Sequence, residues 1–361
     1  MTSAILDEAY ERFRDTGPEW GDDRLTNHGP MAAEVLVRRG HADQVHRWVD
    51  AYLRRLDELP AASDPITDDT WRDALGDQRR IGDWTAYLRR EVTDAPWRDV
   101  LSTWWPRLLP GIVAGATHGV IRTGHAVRTL LSGDENPVVL DELANGLAFW
   151  AARSLAVPGA THPGASVPDA IVPPGSLDPA GAVAALPRIA EQSGPVAHRF
   201  GQFAALPGWS SAQAALRAAS DHEDAAKQLT ELISATTVHY LSHGQASPVL
   251  LVHAATAPNA VLRTLPALPT DMWAPSLAAV WSASAAILAA YAPAEAVPRA
   301  ELPVVEPGPD AITETVELAT AHGDEHVIKF ADTAADVFAR TGEPDALAAA
   351  VRVSTLIAAA T

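Results

Sequence analysis

The chain contains no cysteine. That excludes disulfides, thiolate zinc sites, iron–sulfur clusters and cysteine nucleophiles. Lysine is almost as scarce: of 27 basic side chains, only Lys227 and Lys329 are lysines. Basic residues are also outnumbered by acidic ones, and the formal net charge is −18. This balance argues against nucleic acid or a membrane surface as partner, since both require basic patches. The pairs Arg38-Arg39, Arg54-Arg55, Arg79-Arg80 and Arg89-Arg90 are interleaved with acids and read as solvated helix faces. No run of about 18 uninterrupted apolar residues occurs, so no membrane span is expected. The first twenty residues carry Asp7, Glu8, Glu11 and Asp15 and lack the basic start and apolar run of a signal peptide. A cytoplasmic location is the expectation. Strand signals are nearly absent, and no Gly-rich loop follows a strand, so no flavin or nicotinamide site is expected. A phosphate-binding P-loop, an H-E-x-x-H zinc motif and a G-x-S-x-G elbow are missing too.

What remains is helical periodicity. The 361 residues are 47% hydrophobic and 20% charged, as in a soluble globular protein. Spacings of three and four predict helices over 42–59, 111–131, 134–153, 181–192, 210–219, 222–242, 248–265, 272–291, 311–340 with a break near Gly323, and 344–360. Stretches rich in Pro, Gly and Ala at 154–181 and 292–309 read as connectors. The expected architecture is all-α: one large helical globule over 1–361 around an Ala-rich core, with any metal site lying between helices. Eleven tryptophans, among them Trp104, Trp105, Trp150, Trp273 and Trp281, are assigned to that core first. Walls of this kind would also serve a flat aromatic ligand. Gly111, Gly115 and Gly119 recur every four residues, a spacing suited to close helix packing.

Thirteen histidines need sorting. His41, His46 and His222 sit among charged residues and read as surface groups, His162 lies in the Pro/Gly loop, and His198 flanks Arg199. His239 and His243 are four apart on a helix, either a metal pair or a C-terminal cap. Four others keep unusual company. His28 stands in Asn27-His28-Gly29-Pro30, just before a helix. His118 stands in Gly115-Ala116-Thr117-His118-Gly119, with His125 seven residues on. His253 lies in the apolar run Leu251-Val252-His253-Ala254. His326 precedes Lys329 by three, which puts both on one helix face about 5–6 Å apart at Cβ. Lys329 is flanked by Ile328 and Phe330. A buried lysine loses its proton readily, and a neutral amine can take up carbon dioxide to become a carbamate, an anionic oxygen ligand. The plain alternative is a surface lysine and four satisfied core histidines.

Four segments in this order resemble the questin oxidase family: Asn27 to Pro30, Gly115 to Arg122, Val252 to Ala254 and Gly323 to Lys329. The correspondence runs from about Asn27 to Ala331. The resemblance implies a largely helical oxygenase that opens rings of planar aromatic polyketides of the anthraquinone type. It implies Fe(II) held by His28, His118, His253, His326 and Lys329, the last carboxylated, with a small aromatic substrate and O2 as partners. Five such ligands on an octahedral ion leave one open position. Asp324, Glu325 and Glu34 are candidates for orienting the rings. The chain departs from fungal members at Met31-Ala32-Ala33 and at Arg122, where those tend to carry further histidines, and these differences bear on substrate more than on metal. Three other readings stand beside this one: a helical protein that binds an aromatic without catalysis, a flavin- and NADPH-dependent monooxygenase of the Baeyer–Villiger type, and a zinc hydrolase with the same ligands.

Overall fold

A computed structural model describes residues 2–360, and their side chains from residue 4 onward. The protein is all-α. Among the described residues the only sheet is a two-stranded antiparallel ribbon, Glu19–Trp20 with Leu25–Thr26. The chain divides into two compact units: the residues up to Ala156 with Arg263–Pro269, and Val157–Leu262 with the residues from Thr270 onward.

The first unit is built from α1 (Thr2–Phe13), α2 (Gly29–Arg38), α3 (Ala42–Leu53), α4 (Ile81–Asp94), α5 (Trp97–Leu108), α6 (His118–Leu131) and α7 (Pro137–Ala152). Helices α1, α2 and α3 pack on one another, α2 also packs on α6, and α7 is flanked by α4 and α6. Small residues let α6 and α7 approach closely. A Cβ on Gly119 would lie 2.6 Å from the Trp150 Cα, and one on Gly146 would lie 3.0 Å from the Thr123 backbone nitrogen. The same two helices are joined by a buried bidentate pair, with Arg122 Nε and Nη2 donating to Glu142 Oε1 and Oε2 at 2.6 and 2.7 Å. Trp71, Trp84 and Tyr87 each meet Trp104 edge-on at 5.3–5.6 Å between ring centres. The tryptophans expected in the core are there, except that Trp273 is only half-buried.

The second unit contains α8 (His222–His243), α9 (His253–Thr264) as far as Leu262, α10 (Trp273–Tyr291), α11 (Ala311–His322), α12 (Glu325–Thr341) and α13 (Pro344–Leu356). Helix α8 packs on α10, α12 and α13, and α11, α12 and α13 pack on one another. The expected break falls at Gly323, whose φ of 80° ends α11. Asp324 then caps α12 by accepting from the His326 and Val327 backbone N–H groups at 2.8 and 3.2 Å, a cap worth about 1 kcal/mol. The segment Thr270–Tyr291 is long and apolar enough to cross a membrane, but 67% of its 18-residue apolar window is buried inside the protein. Core helices have that character.

Several helices are shorter than periodicity predicts. Helix α3 stops at Leu53, so Tyr52, and not Leu56, completes the buried stripe of Val45 and Val49. The helix expected from Gly111 begins only at His118, because Gly115, Ala116 and Thr117 all take positive φ, at 51°, 56° and 69°. Three such residues in a row cannot continue a right-handed helix. The helix expected over 248–265 breaks at Val252 into Pro248–Leu251 and α9.

Candidate metal site

The four histidines and the lysine are all buried: His28 is 4% exposed, His118 6%, His253 1%, His326 9% and Lys329 1%. Each histidine sits at the first turn of a helix. His28 is the N-cap of α2, His118 and His253 are the first residues of α6 and α9, and His326 is the second of α12. The partial positive charge at a helix N-terminus disfavours an imidazolium there. It therefore favours the neutral ring that a metal requires.

The residues around His28 show why its local sequence reads Asn-His-Gly-Pro. The Asn27 amide donates to Thr16 Oγ1 and the Gly17 carbonyl, both at 3.0 Å, and its Oδ1 accepts from the Gly29 N–H at 2.9 Å. The chain on either side of His28 is thereby fixed. The His28 N–H itself donates to the Tyr52 hydroxyl at 2.8 Å. Gly29 is required because a Cβ there would lie 2.5 Å from the Phe13 ring. Pro30 fills a first-turn position where no N–H is needed.

His118 is aimed by the left-handed segment before it. That segment turns the Gly115 carbonyl back to the His118 ring, whose Nδ1–H donates to it. Strained non-glycine residues such as Ala116 and Thr117 concentrate at functional sites. With Nδ1 engaged as a donor, Nε2 carries the lone pair. It faces His28 Nε2 at 2.7 Å, with the two rings at 84°. Two nitrogens in adjacent positions around one ion stand about 3 Å apart, so the pair is already near coordination spacing.

In the second unit His253 is oriented by the same device. Its Nδ1 donates to the Leu250 carbonyl, three residues back, at 3.1 Å, again leaving Nε2 as the acceptor. Its pKa falls well below that of an ordinary histidine, first because of burial, then because of Lys329 and His326. The His253 and His326 rings meet edge-on, with centres 5.9 Å apart. Asp324 Oδ1 lies 3.5 Å from His326 Nδ1. Lys329 stands one turn along α12, and its Nζ is buried with no hydrogen-bond partner among the described residues. Burial pushes its pKa down to about 7, against the opposing pull of Glu325 and Asp324. An amine half-neutral near pH 7 has the chemistry needed for carbon dioxide uptake.

In the first unit His28 and His118, and in the second unit His253 and His326, each offer imidazole nitrogens that could hold a metal ion. Such a donor set suits iron, zinc and copper alike. The donors therefore fit the ion that the family resemblance implies without selecting it.

Other candidates take different roles. Glu34 touches none of the four histidines through a described hydrogen bond or ion pair; its carboxylate is engaged by His125 Nδ1 at 2.9 Å and by both arms of Arg128. His125, although seven residues from His118, belongs to that buried cluster. His239 and His243 stack face to face at 3.8 Å, and the His243 Nδ1 donates to the His239 carbonyl at 3.2 Å, a helix-end contact. Burial lowers the pKa of both rings. His46, His162, His198 and His222 are exposed and His41 half-exposed. Sequence reasoning missed Tyr52 and the carbonyls of Gly115 and Leu250. No residue pattern announces a backbone acceptor, but the run of small residues before His118 was an available signal.

Residues 31–166 match a protein-family model described as Questin oxidase-like. The matched stretch is narrower than the correspondence read from motif order, and of the five candidate ligands it contains only His118. No curated protein matches the chain.

Proposed function

Since residues 31–166 are questin oxidase-like and that family points to an oxidoreductase, we propose that the protein is a non-haem iron oxygenase that opens a ring of a planar aromatic polyketide of the anthraquinone type. In this reading His28, His118, His253, His326 and a carboxylated Lys329 hold Fe(II), and the partners are a small aromatic substrate and O2. Bound there, iron supplies the one-electron chemistry that lets dioxygen react with a closed-shell aromatic ring. The chain supplies the rest. The Gly115 and Leu250 carbonyls fix the tautomers of His118 and His253. Tyr52 and Asn27 fix the backbone on either side of His28. Burial keeps the His253 ring neutral and excludes water that would compete for the rings.

The observation that carries the reading is Lys329. Its ammonium would be buried without a hydrogen-bond acceptor among the described residues, which is unfavourable, whereas a carbamate on the same nitrogen is an anionic ligand beside the imidazoles. Loss of one proton and formation of one N–C bond to carbon dioxide convert the amine to that carbamate. An orphaned buried amine next to buried histidines has no comparable explanation in a passive binding protein.

Metal analysis of protein purified without added metal separates the readings. The expected result is roughly one iron per chain, as a dedicated imidazole site would hold, with no flavin absorbance and no nicotinamide requirement for oxygen consumption with an anthraquinone. Stoichiometric zinc without iron would favour a hydrolase. Metal-free protein that binds anthraquinones would favour a binding role.

A further inference from the structure

Helices α2 and α6 are joined at two places. At their N-termini His28 meets His118. Six residues along α2 stands Glu34, and seven and ten residues along α6 stand His125 and Arg128. A rise of 1.5 Å per residue puts the second junction about 9 Å from the first on α2 and about 10–15 Å from it on α6. Both spacings run toward the C-termini, so the helices run side by side in the same sense. The second junction is buried, with Glu34 and His125 each 3% exposed and Arg128 7%. One carboxylate receives three donors: Arg128 Nε on Oε1 at 2.8 Å, Arg128 Nη2 on Oε2, and His125 Nδ1 on Oε2 at 2.9 Å.

Apolar packing alone would hold α2 on α6 with freedom to slide and rotate by fractions of an ångström. A buried ion pair adds little net stability compared with well-packed apolar residues, because of desolvation. Its directional hydrogen bonds instead admit one register. We infer that Glu34, His125 and Arg128 form a clamp that sets the separation of His28 and His118, with Glu34 and His125 as positioning residues for the metal site. The inference rests on the reading above only for what the pair is used for. His125 is then a donor to Glu34 and not a further ligand, although it stands on the His118 helix.

The test compares wild type with His125→Leu, Glu34→Gln and His125→Asn, the last of which keeps an N–H at the place of Nδ1. The readout, on metal-free full-length protein labelled with ¹⁵N-histidine, is the scalar coupling across the Nε2–H···Nε2 hydrogen bond of His28 and His118. The coupling should be present in wild type and His125→Asn and lost in His125→Leu and Glu34→Gln, with unchanged helix content by circular dichroism. Retention of the coupling in both disruptive variants would overturn the clamp, even if their Tm falls. A parallel Co²⁺ titration should show affinity falling on the order of tenfold in the disruptive variants, as for other residues that orient ligands, with a shifted d–d spectrum. If wild type binds no Co²⁺, the metal reading fails while the coupling still decides the clamp.

Discussion

His28 Nε2 and His118 Nε2 stand 2.7 Å apart, although the residues are ninety positions apart in the chain. One ring must donate to the other while no cation is between them. A metal ion would replace that shared proton with two coordination bonds. His118→Ala should therefore lower metal affinity by at least the 10–100-fold typical of lost orienting contacts. The check is metal content after dialysis against a weak chelator. Wild-type retention by the variant would remove His118 from the ligand set.

Gly119 allows α6 to approach α7. A Cβ on it would lie 2.6 Å from the Trp150 Cα, a backbone atom that cannot rotate away. Gly119→Ala should destabilise the protein by about 1–3 kcal/mol through overpacking, despite alanine's better helix propensity. Urea unfolding measures this, and an unchanged midpoint would contradict the packing described.

How far the sequence could be read depends on which interactions leave a pattern. Helix α8 and the Gly323 break were legible because apolar spacing and a glycine before a capping Asp are local signals. The start of α6 was not, because positive φ at Ala116 and Thr117 is imposed by the surrounding structure against local preference. Lys329 was conspicuous through the chain's scarcity of lysine, and it lies buried as its neighbours suggested. Glu34 was assigned to ring orientation, yet it engages His125 and Arg128. Pairings made ninety residues apart have no local signature. The Tyr52 hydroxyl under the His28 N–H was invisible for the same reason.

Acid should destabilise the protein partly through His125. Burial lowers its pKa to about 4, with Arg128 and Arg263 acting in the same direction and Glu34 opposing. In the unfolded chain the ring protonates near pH 6.5. Below that pH the unfolded state binds more protons, so stability present above about 6.5 is lost as pH falls toward about 4. His125→Asn keeps a donor for Glu34 and cannot titrate. Its stability, from urea unfolding at a series of pH values, should decline less than that of wild type across this window. Parallel curves would assign the acid limb to other groups.

Lys329 decides the central claim. Protein equilibrated with ¹³C-labelled bicarbonate should give one slowly exchanging carbamate resonance in its ¹³C spectrum, absent from Lys329→Arg, because guanidinium stays protonated. The same variant should lose bound iron, since a fixed positive charge would replace an anionic ligand. Lys227→Arg, on the exposed face of α8, should change neither signal. A Lys329→Arg protein with wild-type iron content and oxygen consumption, and a wild-type spectrum without the carbamate resonance, would contradict the account.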